Sequence, residues 1–514
     1  MNIFIDTHLP PPANTYDVVI VGGGLGGLLS AVLLAKEGMK VCMLEKDKQI
    51  GGCLQTFGLQ KKVFDSCVHY IGGLGEGHTL NKIFSYAGIL DKLSLKPYDT
   101  NGFDRMAFGN EELLYPQAIG AENFKEQLLQ FFPQEKAALD KYIALLKTVG
   151  DHFPLYRLRM GDAAEKSAVS NWQLSKVLNE LTGNQQLQSV LAGNNLLYAG
   201  TASQTPFYLH SLVLESYIHS AHKVMPGSSQ ISKHLWQQLL DMGSEVIKDT
   251  EVVKLAEENG HITYAETGNG ERYYGKHFIA NIAPEVLLKL VDSSQIRPAY
   301  HNRINGLEQT TSCFMLNMVV QPGTVPMCHY NIYWNATHNV WQAVDYKPNE
   351  WPANYAVFFT EDAENPGYAE SVSALSYMHY TEVAQWQHTV NLTAHREDRG
   401  ESYREFKQQR SELLLDKLYQ RIPELKGHIM AHSAATPLTY RDYTATPKGS
   451  LYGILKDVNK PAETTISTRT RIPNLLLTGQ NVNLHGVLGV SITAVATAAE
   501  LVGMEHLLKK INPE

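Results

Sequence analysis

A glycine-rich turn near the start of the chain constrains the fold more than any other feature. The β-rich residues 17–21 lead into a glycine run that fits GxGxxG with Gly22, Gly24 and Gly27. A helical pattern follows, and a second β-rich segment then closes on Glu45. Strand, glycines, helix, strand and acid occur in this order within about thirty residues, as in a dinucleotide-binding βαβ unit. A chance cluster of glycines is the alternative, and the ordered context argues against it.

Each part of this unit has a physical task in holding a dinucleotide. The glycines allow a tight turn and let a pyrophosphate approach the backbone. The helix that begins near Leu25 directs free N–H groups and a positive dipole end toward the phosphates. Glu45 can accept hydrogen bonds from both ribose hydroxyls, and an acid at this place disfavours a phosphorylated ribose. The pattern therefore favours FAD or NAD over NADP.

The length and composition indicate a globular enzyme of two or three lobes. The chain has 514 residues, of which 44% are apolar and 19% charged. Its net charge of −8 argues against a nucleic-acid binder. Five scattered cysteines without a CxxC pair argue against a disulfide framework and favour a reducing cytoplasm. The N-terminus shows no signal-peptide pattern, and glycines interrupt the uncharged residues 18–35, so we expect any membrane contact to be peripheral.

A second glycine pair distinguishes FAD from NAD. Lys46 is followed by Gly51, Gly52 and Cys53, and this extension resembles that of the glutathione-reductase-like FAD enzymes of the amine oxidase and phytoene desaturase type. In those enzymes it brings a second turn against the pyrophosphate and usually continues with arginine, where this chain has Cys53. The resemblance implies FAD. The sequence contains no second GxGxxG in a strand–helix context, so the electron donor or acceptor stays unassigned.

The C-terminal region resembles the flavin-facing part of the same superfamily. A strand runs into a turn that carries an acid for the ribityl hydroxyls in the superfamily, and this chain has Asn481 there. Its amide oxygen can still accept a hydrogen bond. In the superfamily the following helix begins at the flavin pyrimidine, and the strand around Val253 resembles the segment that touches adenine through its backbone. The residues implied at the cofactor in these segments are Val253, Gly479, Gln480, Asn481, Val487 and Leu488.

The motifs together resemble the retinol saturase branch of the carotenoid desaturase and isomerase family. The matching segments are residues 51–57, 64–72, 198–229, 436–453 and 478–480. The resemblance implies an α/β fold: a Rossmann-like FAD-binding domain of glutathione-reductase type (15–95, 222–292 and 465–512) and an inserted α+β substrate domain, a mixed sheet roofed by helices (96–221 and 293–464). It also implies hydride transfer at a carbon–carbon double bond of a lipophilic polyene, by saturation, desaturation or isomerisation.

Sequence patterns predict several elements of the inserted domain. Helices are expected over residues 123–132, 135–149 and 182–198, and strands over 312–320 and 354–360. The leucines of 182–198 are more simply core residues than the lining of a tunnel or a membrane-facing stripe. The charged residues 396–410 are expected to form a solvated loop and helix face.

The segment from Val63 to Leu80 contains Cys67-x-His69 and allows three interpretations. It is a thiol–imidazole pair, a metal site completed by His78, or the wall of a pocket. On a strand, Cys67 and His69 share one face about 7 Å apart, which suits two wall residues. A metal site would lack one of the usual ligands. His69 either gives the substrate a proton or frames the pocket, and Tyr70 is the next candidate donor.

Two other functions stay open from the sequence. The first is a flavin amine oxidase, which shares the FAD fold. The second is a non-catalytic lipid carrier that retains FAD for structure.

Overall fold

The computed structural model describes residues 14–393 and 395–513. Most of the N-terminal segment that lacks a signal-peptide pattern lies outside these residues. The strands are β1 (Thr15–Val21), β2 (Val41–Leu44), β3 (Thr56–Leu59), β4 (Lys62–Asp65), β5 (Ile71–Gly72), β6 (Leu95–Pro97), β7 (Asp104–Phe108), β8 (Tyr115–Gln117), β9 (Ala221–Val224), β10 (Glu245–Ile247), β11 (Val252–Glu258), β12 (His261–Thr267), β13 (Arg272–Ala280), β14 (Ser312–Val320), β15 (Asn331–Asn335), β16 (Asn354–Glu361), β17 (Ala369–Met378), β18 (Ile429–Ala435) and β19 (Leu475–Leu477).

The α-helices are α1 (Leu25–Lys36), α2 (Thr79–Ala87), α3 (Ala121–Leu129), α4 (Lys136–Asp151), α5 (Ala163–Ser167), α6 (Leu174–Leu181), α7 (Gln185–Leu191), α8 (Phe207–His219), α9 (Ser229–Asp241), α10 (Pro284–Leu290), α11 (Pro298–Asn305), α12 (Glu401–Arg421), α13 (Pro437–Thr444), α14 (Pro461–Thr464), α15 (Gly486–Val502) and α16 (Met504–Ile511). Within the described residues, no helix combines the length and the apolar character that crossing a membrane requires.

The first sheet positions the glycine turn at the end of β1. Its strand order is β10-β2-β1-β13-β12-β11, and β19 also pairs with β13. β1 pairs in parallel with β2 and β13, and β19 pairs in parallel with β13. Residues 25–35 of α1 are all buried, and α1 contacts α9 and α15. This enclosure explains why residues 18–35 carry no charge, since a charged side chain there would lose its hydration.

The second sheet forms the floor of the inserted part of the chain. Its order is β18-β14-β17-β16-β15-β7-β8, antiparallel except between β15 and β7. The strands predicted at 312–320 and 354–360 correspond to β14 and β16, and β14 is buried along its whole length. The helices predicted at 123–132 and 135–149 correspond to α3 and α4, and α4 contacts both α3 and α8.

One prediction for the inserted part was wrong, and another holds with an exception at Arg399. The helix predicted at 182–198 ends at Leu191, and a separate 3₁₀ turn follows over Asn195–Leu197. Gly193 lies between them against the Met106 side chain, at a distance that leaves no room for a Cβ atom. Within the charged residues 396–410, Arg399 is buried rather than solvated, because its guanidinium pairs with a buried carboxylate described below.

Two small sheets bring residues 66–70 between the large ones. β3 and β4 form a hairpin, and β5 pairs with β9, which also pairs with β6. The expectation that Cys67 and His69 lie on a strand was wrong, because β4 ends at Asp65 and β5 begins at Ile71. The domain limits given above stay a prediction.

Candidate functional site

The side chain of Glu45 holds the glycine loop (residues 22–27) in place. Its Oε2 atom accepts the N–H of Gly23 at 2.6 Å, and its Oε1 atom accepts the N–H of Asp47 at 2.9 Å. Burial raises the pKa of this carboxyl, and the two backbone N–H groups act in the opposite direction. Gly22 has φ = 101°, a conformation that a side chain would strain. The acid and the loop thus lie together, as the motif predicts.

Two other glycine segments pack directly against the loop. The Gly51 N–H donates to the Gly23 carbonyl oxygen at 2.8 Å. On the opposite side, a Cβ atom added to Gly26 would lie 3.1 Å from the Cα atom of Gly479. A side chain on Gly26 would therefore crowd the backbone of Gly479. The predicted first, second and last cofactor segments therefore meet at one place.

Asn281 connects these segments, and the sequence analysis did not include it among the cofactor residues. Its N–H donates to the Val21 carbonyl at 2.8 Å, and its side-chain Nδ2 donates to the Gly22 carbonyl at 3.2 Å. Its Oδ1 atom lies 2.7 Å from where a Cβ on Gly26 or on Gly479 would be. A polar residue directly after β13, the strand beside β1, was the available sequence signal.

Two of the predicted cofactor side chains already have protein partners. The Lys46 ammonium donates to the backbone carbonyl of Asp442 at 3.3 Å. The Asn481 Oδ1 atom accepts the N–H of Ile454 at 2.9 Å, so the oxygen expected at a ribityl hydroxyl also holds a loop. Gln480, next to it, is half-buried.

Val253 is not the residue that the structure places beside Glu45. Its side chain is 46% exposed, on β11. The Glu45 carbonyl instead accepts the N–H of Thr250 at 2.8 Å, and the Glu45 N–H donates to the Ile247 carbonyl at 2.9 Å. The role of Val253 at the adenine stays a prediction, and residues 247–250 are the better-placed backbone.

A cavity lies at the start of α15. Val487 and Leu488, in the first turn of the helix, line one side, and residues 67–72 line the opposite side. The cavity between them has a volume of about 140 Å³ and is partly open to solvent. The N-terminus of α15 presents unpaired N–H groups and the positive end of the helix dipole here. The aromatic side chains that line the cavity are Tyr70, Tyr156, Tyr217, Tyr333, Phe358 and Tyr452.

His69 lies in this wall as a neutral imidazole. Burial, followed by the charge of Lys223, lowers its pKa to about 3. Its ring stacks on Phe358 with centroids 4.3 Å apart, and its Nε2 atom is buried without a hydrogen-bond partner. An unsatisfied buried nitrogen facing a cavity is expected to bind a ligand.

Tyr70 belongs to a buried hydrogen-bond network that the sequence analysis missed. Its hydroxyl donates to Asp104 Oδ2 at 2.7 Å and lies 2.7 Å from the Tyr333 hydroxyl. Asn331 Nδ2 donates to Asp104 Oδ1 at 2.8 Å. The sequence signal was an acid at the head of β7, a strand that ends in three apolar residues.

Cys67 and Cys53 lie side by side near the cavity, and both are free thiols. A hydrogen bond from Cys67 lowers the pKa of the Cys53 thiol. Cys67 therefore has a thiol partner rather than the imidazole that a catalytic dyad would need. The part of the chain that the structure describes holds no group of three or more His, Cys, Asp or Glu side chains placed to bind a metal ion.

Comparison with known proteins agrees with this geometry. The family of NAD(P)-binding Rossmann-like domains matches residues 20–87. The all-trans-retinol 13,14-reductase of Homo sapiens is 27% identical, over 92% of this chain and 83% of its own. The chloroplastic prolycopene isomerase 1 of an Oncidium hybrid cultivar is 22% identical, over 86% of this chain and 76% of its own. The predicted resemblance is confirmed.

The fold class is confirmed as well. The crystal structure of an oxidoreductase from Methanosarcina mazei superposes with a TM-score of 0.65 at 14% identity, covering 93% of this chain and 99% of that one. With its retinol-reductase-like and carotenoid-isomerase-like sequence, the chain is an oxidoreductase.

The residues present fit a nucleotide-containing cofactor. The glycine loop offers bare backbone, Glu45 offers a carboxylate, and Thr478 has a buried hydroxyl without a hydrogen-bond partner next to Gly479. Together these are the donors and acceptors that a pyrophosphate and a ribose require.

Proposed function

We propose that the protein is an FAD-dependent oxidoreductase that acts on a carbon–carbon double bond of a lipophilic polyene. The observation that carries this proposal is the aromatic cavity at the start of α15. This helix begins shortly after Gly479, which packs against the glycine loop. Similarity to retinol reductases and prolycopene isomerases over most of the chain supports the same substrate class. Retinoids and carotenoids share a long conjugated apolar body, which suits such walls.

The chain's own residues divide the work of holding FAD. N–H groups of the glycine loop and of α1 would bind the pyrophosphate, and Glu45 would bind the ribose. The start of α15 would lie at the isoalloxazine, where its dipole favours negative charge on the reduced ring. When bound, FAD supplies two-electron exchange by hydride transfer. This arrangement supports the division into a discontinuous FAD-binding domain and an inserted substrate domain.

The cavity walls would orient the polyene and exclude water. Phe358 and Tyr217 present flat faces to a conjugated chain, and such contacts favour stacked or edge-on geometries. His69 would position the ligand through its unpartnered Nε2 atom.

The proton that accompanies a hydride would come from the tyrosine side of the cavity, not from His69. With a pKa of about 3, His69 holds no second proton at neutral pH. Burial and the neighbouring Asp104 instead raise the pKa of Tyr70, which keeps its hydroxyl protonated. Tyr70 is therefore the better proton source of the two residues selected from the sequence.

The same proposal places the protein in a reducing cytoplasm, in contact with a membrane surface. All five cysteines are free thiols, and a polyene partitions into lipid. The electron partner has no assigned site.

A half-reaction experiment tests the proposal. The purified protein is photoreduced without oxygen and mixed with all-trans-retinol or prolycopene in micelles. Flavin and polyene absorption are then followed together. We expect the flavin to reoxidise as the polyene spectrum shifts, or the polyene to isomerise on the reduced enzyme. Reduction of the flavin by amines alone would indicate an amine oxidase, and a flavin that no donor reduces would indicate a carrier.

A matched pair of variants locates the reaction in the cavity. Leu375→Trp fills the cavity from β17, away from the start of α15, and should abolish the polyene reaction while FAD stays bound. Leu501→Trp, near the other end of the same helix, should leave the reaction intact. Equal activity of the two variants would contradict the assignment of this cavity.

A further inference from the structure

Asp104 is a completely buried carboxyl that has no cationic partner among the residues the structure describes. Its side chain is 0% exposed, and its two oxygens accept hydrogen bonds from the neutral groups Asn331 and Tyr70. Arg105, next to it in β7, pairs with Asp99 instead. A buried carboxylate held only by neutral donors is costly, so the protonated form is favoured.

The titratable groups that face Asp104 are all tyrosines. Tyr70 and Tyr333 approach from the cavity side, and Tyr98 and Tyr217 lie nearby. Burial raises the pKa of Asp104 from 3.8 to about 7, opposed by the hydrogen bonds from Asn331 and Tyr70. At neutral pH this carboxyl therefore both holds and releases a proton readily.

The hydroxyl groups continue from Asp104 to the cavity. Tyr70 contacts Asp104 on one side and Tyr333 on the other, with 2.7 Å for each pair of oxygens. Within the described residues, the Tyr333 hydroxyl has Tyr70 as its sole hydrogen-bond partner. Its remaining hydrogen-bonding capacity is directed to the cavity that both tyrosines line.

We propose that Asp104, Tyr70 and Tyr333 form a proton relay that delivers the proton for reduction of the polyene in the cavity. This inference rests on the proposed polyene chemistry. Hydride transfer to one carbon of a double bond leaves an electron pair on its neighbour. The Tyr333 O–H bond breaks and its proton forms the new C–H bond. When Asp104 is protonated, its O–H donates to the Tyr70 oxygen across the same 2.7 Å contact. Tyr333 then regains a proton from Tyr70, Tyr70 regains one from Asp104, and the resulting carboxylate is reprotonated from solvent between turnovers.

The test combines an activity-independent measurement with a pH profile. Infrared difference spectra of the protein without substrate should show a protonated-carboxyl C=O band that disappears as the pH rises through about 7 and is absent from Asp104→Asn. In single turnover with the polyene of the half-reaction experiment, the wild-type rate should fall above that pH. In Asp104→Asn and Tyr333→Phe the rate should be lower by about 10²- to 10⁴-fold and lose this pH dependence.

The control is Tyr98→Phe, which removes a buried hydroxyl from the same region without touching the cavity lining. We expect it to keep the wild-type rate and pH profile. If the wild type reacts and Tyr333→Phe reacts equally fast with an unchanged profile, the relay is wrong while the proposed function stands. Absence of the carboxyl band in the wild type would also overturn it. If no polyene oxidises the reduced wild type, the proposed function itself fails.

Discussion

The carboxylate of Asp442 is the buried junction between α13 and the loop before α12. It accepts hydrogen bonds from the Arg399 guanidinium, from the Asn391 N–H at 2.8 Å and from Arg441 Nε at 2.8 Å. The Arg399 and Asp442 side chains are only 5% and 1% exposed. Since Lys46 donates to the Asp442 carbonyl, this junction also contacts the segment after the ribose acid.

We predict that Asp442→Asn will destabilise this region by about 3 kcal/mol. Removing one partner of a buried ion pair costs about 3–5 kcal/mol, because the other charge stays buried. The lower end applies here, since asparagine keeps one acceptor oxygen and Arg399 also donates to Thr389 Oγ1 at 2.9 Å. Asp398→Asn is the matched control, because its pair with Arg404 is 74% and 62% exposed. We expect no measurable change in that variant.

Hydrogen exchange followed by mass spectrometry measures the effect locally. Peptides that cover residues 437–444 should exchange about 100-fold faster in Asp442→Asn, in line with a loss of about 3 kcal/mol. Peptides of α1 should be unaffected. If Asp442→Asn and Asp398→Asn show equal exchange, the argument that the buried pair stabilises this junction is refuted.

Three further predictions concern the glycine loop, Glu45 and the buried carboxyl of Asp104. Gly27→Ala should abolish FAD binding, since its Cβ would overlap the Gly22 carbonyl oxygen, whereas Gly183→Ala, with open space around it, should retain FAD in the purified protein. Glu45→Gln should weaken FAD binding about tenfold in a fluorescence titration, a loss of about 1.4 kcal/mol for one charged acceptor; unchanged affinity would contradict its role at the ribose. The pKa of Asp104 is raised to about 7 in the folded protein. The stabilisation that the protonated carboxyl gives the folded state is therefore complete below pH about 4 and lost by pH about 7. Relative to Asp104→Asn, the wild type should therefore lose about 1.4 kcal/mol of unfolding free energy per pH unit between pH 5 and 7, and nothing further at pH 8; a constant difference measured by urea unfolding would contradict this.

Local motifs made the cofactor end of the molecule predictable. Glu45 binds the glycine loop within a single βαβ unit, so neighbouring parts of the sequence predict this contact. The tight backbone turn that the loop requires appears directly as glycine in the sequence. Gly51 and Gly479 were placed correctly beside the loop for the same reason, although their binding roles stay predictions.

Long-range partners made the rest unpredictable. Tyr70 and Tyr333 are 263 residues apart, so nothing in either segment shows that their hydroxyls meet. The sequence around Arg399 predicts a solvated charge, because its buried partner Asp442 lies 43 residues further along the chain. The helix predicted at 182–198 ends at Leu191, two residues before Gly193, a local stop signal that the prediction passed over.

The position of Asn281 has a consequence for the order in which this protein matures. Its side chain lies between the glycine loop, near the start of the chain, and Gly479, near the end. During synthesis the first βαβ unit leaves the ribosome long before residue 479 is made. A nascent chain therefore contains the glycine loop but not Gly479. The last segment must be synthesised before the cofactor can be enclosed. Truncation before Gly479 should yield a chain unable to retain FAD, however well its N-terminal sheet has folded.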